Sequence, residues 1–257
     1  TKRTPLLING KITDTRFPDS IRSIRSVVKK MLNDDKKVIA VTSTVAGEGK
    51  TTICANLAIS FAAMGKKVLL VDCDLEKPSV LKALMVNEDE LQYTTVTDKY
   101  KIAYLENHKI YVMTLIADND INEVITNDNL TNIFSFVKPD FDMILVDTPP
   151  CSVVSDAIFV AQASDGILHV ILQDTARISK IKGGLDALLS TDSEILGCIL
   201  NGAQTSVMGY GYYKAYNKYG YYKGYGKYAK YGKYSKYGYS DGTGYGYGFH
   251  FDEDDDQ

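Results

Sequence analysis

The sequence contains no tryptophan and only four cysteines, which lie far apart and show no Cys-x-x-Cys spacing. Such sparse cysteines argue against a disulfide scaffold. Each of them lies in an apolar run of the sequence. We therefore expect reduced, buried thiols in a cytosolic protein at Cys54, Cys73, Cys151 and Cys198.

The sequence also lacks an apolar run of the roughly 18–20 residues that a membrane-spanning helix needs. Its polar start, TKRTPLLINGK, has no apolar core like that of a signal peptide. The net charge of −3, from 29 basic and 32 acidic residues, provides no strong attraction for nucleic acid or anionic lipid. We expect no nucleic-acid partner, and membrane contact only through a partner or a further segment.

Hydrophobic periodicity divides the 257 residues into an N-terminal extension (1–17), an α/β domain (18–205) and a tail (206–257) that ends in DEDDDQ. In the domain, continuous apolar runs that are typical of strands covered on both faces alternate with helical patterns. This alternation predicts an α/β fold with a doubly wound, mostly parallel sheet. The segment 86–120 is not assigned, apart from a strand at 110–116. The other predicted strands are 37–43, 67–72, 142–147, 166–172 and 195–201, and the predicted helices include 50–64, 155–163 and 177–190.

A glycine-containing loop separates the first strand from the following helix, and it ends in Gly49-Lys50-Thr51, as a Walker A motif does. In such a loop, backbone N–H groups and the helix N-terminus surround a phosphate, while the lysine reaches the β- and γ-phosphates. Thr44 stands where the general pattern has glycine, and a tight strand-to-helix turn without a ligand is the alternative. The predicted nucleotide-binding residues are Ala46, Gly47, Glu48, Gly49, Lys50, Thr51 and Thr52.

Acidic residues end two later strands, in VDCD and in ILVDTPP. Asp72 and Asp74 alternate with Cys73 and can therefore face one site, and Asp147 takes the Walker B position. Ligands of an open parallel sheet bind at the carboxyl ends of its strands, so these carboxylates should converge on the loop. Three acids beside a phosphate require a cation, and we expect Mg²⁺ there. Solvated loop acids are the alternative at either position alone.

The motifs GEGKTT, VDCD and ILVDTPP, in this order, resemble those of the bacterial tyrosine kinases that regulate capsular and extracellular polysaccharide production. This family shares a P-loop NTPase fold with the septum-placing and partitioning ATPases. The resemblance implies an ATP-dependent protein-tyrosine kinase with Asp72 as catalytic base and Lys50 as catalytic lysine. It also implies that Thr51, Asp74 and Asp147 hold the Mg²⁺ that accompanies ATP. The family's second acidic motif usually continues to an arginine, whereas this chain has Glu76 there, followed by Lys77.

The tail carries most of the tyrosines, since four of the 19 precede residue 206 and fifteen follow it. From Tyr225 to Tyr237 they recur at every third residue, each later one following a lysine, which fits neither a helix stripe nor a strand. We expect this segment to be disordered and to be the kinase's own substrate. A condensing or nucleic-acid-binding tail is the alternative. The predicted phosphorylation sites are Tyr210, Tyr212, Tyr213, Tyr216, Tyr219, Tyr221, Tyr222, Tyr225, Tyr228, Tyr231, Tyr234, Tyr237, Tyr239, Tyr245 and Tyr247.

The stretch FPDSIRSIRSVVKKML predicts an amphipathic helix with Asp19, Arg22 and Arg25 spaced three apart. These residues resemble the family's Glu-x-x-Arg-x-x-Arg motif, which joins subunits into a ring, with Asp19 in place of the glutamate. A helix cap and two solvated arginines are the alternative. A ring would present each tail to the site of the next subunit.

The resemblance further implies a membrane activator, fused or separate, and a tyrosine phosphatase that reverses the modification. It places the protein in the cytoplasm, peripheral to the inner face of the cell membrane. A positioning ATPase without a protein substrate is the alternative function. Such ATPases usually carry a lysine at the start of the loop, and Thr44, Val45 and Ala46 provide none.

Overall fold

The computed structural model describes residues 6–10, 16–32, 37–116, 124–152 and 155–203. All of the predicted phosphorylation sites, from Tyr210 to Tyr247, lie outside these described residues.

The described residues form eight strands and six α-helices. The strands are β1 (Val38–Ser43), β2 (Val68–Asp72), β3 (Tyr93–Val96), β4 (Tyr100–Leu105), β5 (Ile110–Leu115), β6 (Met143–Asp147), β7 (Gly166–Leu172) and β8 (Glu194–Asn201). The helices are α1 (Arg16–Met31), α2 (Lys50–Ala62), α3 (Val80–Ala83), α4 (Asn127–Val137), α5 (Asp156–Gln162) and α6 (Ile178–Leu189).

The strands form one sheet in the order β3-β4-β5-β2-β6-β1-β7-β8. From β5 to β8 all neighbouring strands are parallel, whereas β3, β4 and β5 pair antiparallel at one edge. The predicted mostly parallel sheet is confirmed, as is the strand predicted at 110–116. The unassigned segment before that strand supplies the edge strands β3 and β4.

Apolar side chains cover both faces of the sheet, which explains the unbroken apolar runs in its central strands. Alternate residues of β1 point to opposite faces, so that Ile39 and Val41 join one core and Val38 and Ala40 join the other. Helices α1 and α2 pack on the first face, and α4, α5 and α6 on the second. This doubly wound arrangement leaves the carboxyl ends of the parallel strands available for a ligand.

The expectation that all four cysteines are buried is wrong for one of them. Cys198 is exposed, because it lies on β8 at the edge of the sheet, whereas the other three cysteines are buried as predicted. Within the predicted N-terminal extension, Leu7 is 3% exposed and belongs to the first core, and α1 begins at Arg16. Among the helices that the structure describes, none is both long and apolar enough to cross a bilayer.

Candidate nucleotide-binding site

The loop between β1 and α2 has the backbone geometry that its glycines allow. Gly47 and Gly49 have φ values of 87° and 93°, which side-chain-bearing residues rarely adopt. A Cβ at Gly49 would also collide with Nδ2 of Asn201. Lys50 begins α2 directly after this turn, so the first N–H groups of the helix face the loop.

Glu48 holds the loop in place through its buried side chain. Its side chain is fully buried and accepts hydrogen bonds from the backbone N–H groups of Val45 (2.7 Å) and Leu172 (3.3 Å). Asn201, at the end of β8, donates to the Glu48 carbonyl at 2.9 Å. These bonds tie the loop to β7 and β8, a role for Glu48 and Asn201 that the motif does not indicate.

Thr44 occupies the position where the general motif has glycine, and the structure explains the substitution. Its backbone does not have a positive φ, and its buried hydroxyl lies 2.9 Å from Nε2 of His169 on β7. His169 is fully buried, and burial lowers the pKa of its imidazole, although nearby Glu48 opposes the shift. The pair therefore fills the space behind the loop with a neutral hydrogen bond.

Lys50 reaches the two predicted acidic positions. Its Nζ lies 3.1 Å from Oδ2 of Asp74 and 3.8 Å from Oδ1 of Asp147. Thr51 Oγ1 donates to Asp147 Oδ2 at 2.7 Å and lies 3.0 Å from the Ser79 hydroxyl. The ends of β1, β2 and β6 thus bring a lysine, a threonine and two carboxylates together.

The environment of Asp147 suits a cation. Burial raises the pKa of Asp147 to about 7, Lys50 opposes this shift, and the charge of Asp72 adds to it. Its Oδ1 is buried and accepts no hydrogen bond within the described ranges. A divalent cation beside this oxygen would favour the ionised carboxylate.

The oxygens of Thr51, Asp74 and Asp147 fit the ligands that Mg²⁺ prefers. The described residues hold no group of three or more His, Cys, Asp and Glu side chains that could bind a metal alone. Mg²⁺ bound with a nucleotide needs no such group, because it usually keeps water and phosphate oxygens and takes one or two carboxylates. The residues present therefore fit Mg²⁺ as part of a metal–nucleotide complex.

Asp72 has a different position from Asp74. Its carboxylate accepts backbone N–H hydrogen bonds from Ser79 and Val80, both at 2.9 Å, and from Asp74 at 3.2 Å. Burial raises the pKa of Asp72, and these three hydrogen bonds oppose the shift. The carboxylate thus holds the start of α3, one hydrogen bond away from the acid that contacts Lys50.

A cavity of about 490 Å³ opens over the loop. Among the described residues, it is lined by all of the predicted nucleotide-binding residues except Glu48, and by Asp74 but not Asp72. The exposed residues Glu76 and Lys77 also line it, and the backbone of Lys77 is hydrogen bonded to Asp74. The sequence did not indicate the remaining lining residues, which are Leu6, Leu7, Asn56, Ser79, Lys82, Ala83, Pro149 and Pro150.

The predicted oligomerisation residues lie on α1, away from this cavity lining. Asp19 and Arg22 are exposed and form an ion pair with each other. Arg25 donates instead to the backbone oxygen (2.9 Å) and the hydroxyl (3.1 Å) of Ser60 on α2. Arg25 therefore joins two helices of the same chain.

Comparisons with known proteins identify the family of the chain. Residues 34–219 match the family model "ParA: NUBPL iron-transfer P-loop NTPase". The tyrosine-protein kinase YwqD of Bacillus subtilis (strain 168) is 32% identical over 203 residues, which cover 76% of this chain and 85% of YwqD.

Two further proteins show how much of a relative the chain can span. It is 27% identical to the tyrosine-protein kinase wzc of Salmonella typhimurium, and the match covers 83% of this chain but only 31% of wzc. The crystal structure of the chimerical protein CapA2B2 has a TM-score of 0.68 and 25% identity, covering 80% of this chain and 92% of that one. The chain thus spans about a third of wzc and nearly all of the chimerical protein.

Proposed function

Because the chain belongs to the ParA-type P-loop NTPases and, among these, to the bacterial tyrosine kinases, we propose that it is an ATP-dependent protein-tyrosine kinase. Its proposed acceptors are its own tail tyrosines, and the proposed process that it regulates is capsular or extracellular polysaccharide production. The observation that carries the proposal is the contact of Lys50 with Asp74 and Asp147 at the end of a phosphate-binding loop.

The proposed reaction is a phosphoryl transfer, in which the protein mainly positions the reactants and neutralises negative charge. The phenol oxygen of a tyrosine forms a bond to the γ-phosphorus, and the bond from that phosphorus to the β,γ-bridging oxygen breaks, so that ADP leaves. Loop N–H groups and the N-terminus of α2 hold the phosphates, while Lys50 turns from its carboxylates to phosphate oxygens. When bound, Mg²⁺ neutralises phosphate charge, and Thr51, Asp74 and Asp147 would hold it.

The phenol must also lose its proton, since a tyrosine with a pKa near 10 is almost wholly protonated at neutral pH. We assign Asp72 as the acceptor of this proton, in agreement with the family pattern. Burial raises the pKa of Asp72 and so increases its basicity. For direct transfer, its carboxylate must be released from at least one of the N–H groups of Ser79 and Val80.

The proposed partners are other copies of this chain, a membrane activator and a phosphatase. Ring-like assembly through Asp19, Arg22 and Arg25 would allow one subunit to phosphorylate the tail of the next. An activator, fused or separate, would hold the protein at the inner face of the membrane. We propose no nucleic-acid partner.

A positioning ATPase is the second candidate, because the matching family model is that of the ParA-type NTPases. Both functions use the same phosphate loop, and they differ in where the γ-phosphate goes. A kinase transfers it to tyrosine, whereas a positioning ATPase releases it to water.

One assay separates the two candidates. The full chain and its Lys50→Met variant are incubated with ATP and Mg²⁺, and phosphotyrosine and free phosphate are both measured. The kinase predicts phosphotyrosine on the wild type and none on Lys50→Met. Free phosphate without phosphotyrosine on the wild type would support the ATPase and refute the kinase.

A further inference from the structure

A short N-terminal segment, Leu6–Gly10, forms part of the wall of the nucleotide cavity, and we call it the strap. Leu6 and Leu7 both line the cavity, and Leu7 is 3% exposed because it also packs into the first core. Ile8 packs against the same core, and the N–H of Gly10 closes a turn on the Leu7 carbonyl at 3.0 Å. The strap is therefore a structural part of the domain.

Asn56 holds the strap to α2. Its fully buried side chain accepts from the N–H of Ile8 (2.8 Å) and donates to the carbonyls of Leu6 (2.8 Å) and Thr52 (2.7 Å). Thr52 lies in the first turn of α2, directly after Lys50 and Thr51. The side chain of Asn56 thus connects the strap to the first turn of α2, which contains the proposed phosphate-binding residues Lys50 and Thr51.

A second attachment fixes the direction of the strap. Asn9 Nδ2 donates to the carbonyl of Asn107 (3.2 Å) and lies 3.0 Å from Nδ1 of His108. Both partners lie in the turn between β4 and β5, and the other ring nitrogen of His108 lies 3.0 Å from the Leu84 carbonyl. The strap therefore extends from α2 to the turn that precedes β5, and β5 is the neighbour of β2 in the sheet.

The strap and the γ-phosphate end of the proposed nucleotide site border the same cavity. The γ-phosphate end is marked by Lys50, whose Nζ points to Asp74 after β2. Asn201 reaches the loop from β8, which lies on the other side of β1. Ser79, Ala83, Leu6 and Leu7 line the cavity together with Asp74, so an acceptor that enters this cavity to reach the γ-phosphorus can contact the strap.

We propose that the part of the cavity between Asp74 and the strap is the acceptor subsite, in which Leu6, Leu7 and Ala83 pack against the phenol ring of a tyrosine. This inference rests on the proposed kinase function. A tyrosine suits such a place, because its ring is apolar and its hydroxyl must remain polar and reach the phosphorus.

The occupant that we assign is a tail tyrosine of a second copy of this chain. The sequence provides fifteen of them after residue 206, and most are flanked by lysine or by small residues such as glycine. Glu76, Lys77 and Lys82 all line the same cavity, so both signs of charge are present there. Apolar contact with the ring is therefore the main basis of recognition, and the spacing of charges is secondary.

Leu6→Ser in the full chain tests this subsite. Leu6 is 44% exposed, so the substitution removes a contact surface of the cavity without opening the core. Leu189→Ser is the matched control, because Leu189 is 64% exposed on α6 and does not belong to the cavity lining given above. The acceptor is a tagged peptide with the sequence of residues 225–237, YGKYAKYGKYSKY.

The subsite predicts a KM for the peptide that is about tenfold higher in Leu6→Ser than in the wild type, as expected from the loss of one well-packed leucine contact. The KM for ATP should change by less than about twofold. Leu6→Met, which keeps an apolar surface of similar size, should restore the wild-type KM for the peptide. Leu189→Ser should match the wild type in both KM values.

Two results would overturn the subsite and leave the kinase intact. One is an equal KM for the peptide in Leu6→Ser and Leu189→Ser. The other is a raised KM for ATP with an unchanged KM for the peptide, which would place the nucleoside against the strap. If the wild type phosphorylates neither the peptide nor itself, the proposed function fails and the subsite fails with it.

Discussion

Asp72 is the residue at which structural and catalytic roles are hardest to separate. Its carboxylate accepts hydrogen bonds from the N–H groups of Ser79 and Val80, which hold the start of α3, and from the N–H of Asp74. We have proposed the same carboxylate as the catalytic base. Replacing Asp72 with asparagine separates the two roles. The amide keeps an oxygen that can accept hydrogen bonds from Ser79 and Val80, but it is not a base at neutral pH.

We predict that Asp72→Asn folds and binds nucleotide but loses phosphotransfer. Its free energy of unfolding should fall by about 1–2 kcal/mol, because the hydrogen bond from the Asp74 N–H is lost. The kcat should fall about 10²–10⁴-fold, the usual contribution of a positioned base. Phosphotyrosine formation and urea unfolding measure these effects, and a near-normal kcat would show that Asp72 only holds α3.

His169 predicts how stability depends on pH. Burial lowers the pKa of its imidazole in the folded protein, while in the unfolded chain the pKa is near 6.5. The neutral ring therefore contributes its full stabilisation above about pH 6.5. Below this pH, His169 is protonated in the unfolded state but remains neutral in the folded state. The free energy of unfolding therefore decreases as the pH falls, until the pH passes the lower pKa of the folded protein.

We expect wild-type stability to fall more steeply between pH 7.5 and 5.5 than that of His169→Gln. One proton bound only by the unfolded chain costs at most about 1.4 kcal/mol per pH unit. Urea unfolding of both proteins at the two pH values gives the comparison. Equal slopes for the two proteins would mean that the pKa of His169 is the same in the folded and unfolded states.

At the residue scale, the sequence alone predicted those site residues whose positions follow from a local motif or from the end of a strand. The order of Gly49, Lys50 and Thr51 and the strand-end positions of Asp74 and Asp147 were enough to place these residues together. Asn201 on β8 and His169 on β7 support the loop from other strands, and Glu48 of the loop accepts a hydrogen bond from the N–H of Leu172 on β7. Nothing in the local pattern reveals such contacts, because they depend on how β7 and β8 pack beside β1.

At the scale of elements, α1 combines a packing face with a candidate assembly face. Arg25 is tied to Ser60 of α2 inside the chain, whereas Arg22 and Asp19 form an exposed ion pair with each other. An exposed pair of this kind contributes little to stability, with measured values of about 0–1 kcal/mol. Arg22 is therefore the better probe of assembly.

We predict that Arg22→Ala changes unfolding by less than about 0.5 kcal/mol, and that Arg25→Ala costs about 1–2 kcal/mol because Ser60 loses its donor. If α1 joins subunits, both variants should sediment as smaller species than the unphosphorylated wild type. Sedimentation velocity and urea unfolding on the same samples test both statements. Unchanged sedimentation of Arg22→Ala would remove α1 from the proposed ring contact.

The strands at the edge of the sheet and the strap show why some elements could not be predicted. β3 and β4 pair antiparallel beside β5, and such strands carry the same residue types as a partly exposed loop. The strap has no periodic pattern, because five residues are too few. Its burial depends on Asn56, 48 residues from Ile8.

At the scale of the whole molecule, the doubly wound sheet could be predicted because buried parallel strands produce unbroken apolar runs. The central strands have this pattern, and α-helices cover both faces. This architecture gathers the phosphate loop and the acidic strand ends at one edge. The predicted phosphorylation sites from Tyr210 to Tyr247 rest on the sequence alone, since they lie beyond the described residues.

The central claim is that the Lys50 site transfers phosphate to tail tyrosines of another copy of the chain. It is tested most directly by mixing the wild type with a tagged Lys50→Met chain, adding ATP and Mg²⁺, and mapping phosphate on each chain by mass spectrometry. We predict phosphotyrosine between Tyr210 and Tyr247 of the tagged chain, and only when the wild type is present. ATP consumption with no phosphotyrosine on either chain would contradict the kinase, and phosphate on the wild-type chain alone would contradict transfer between copies.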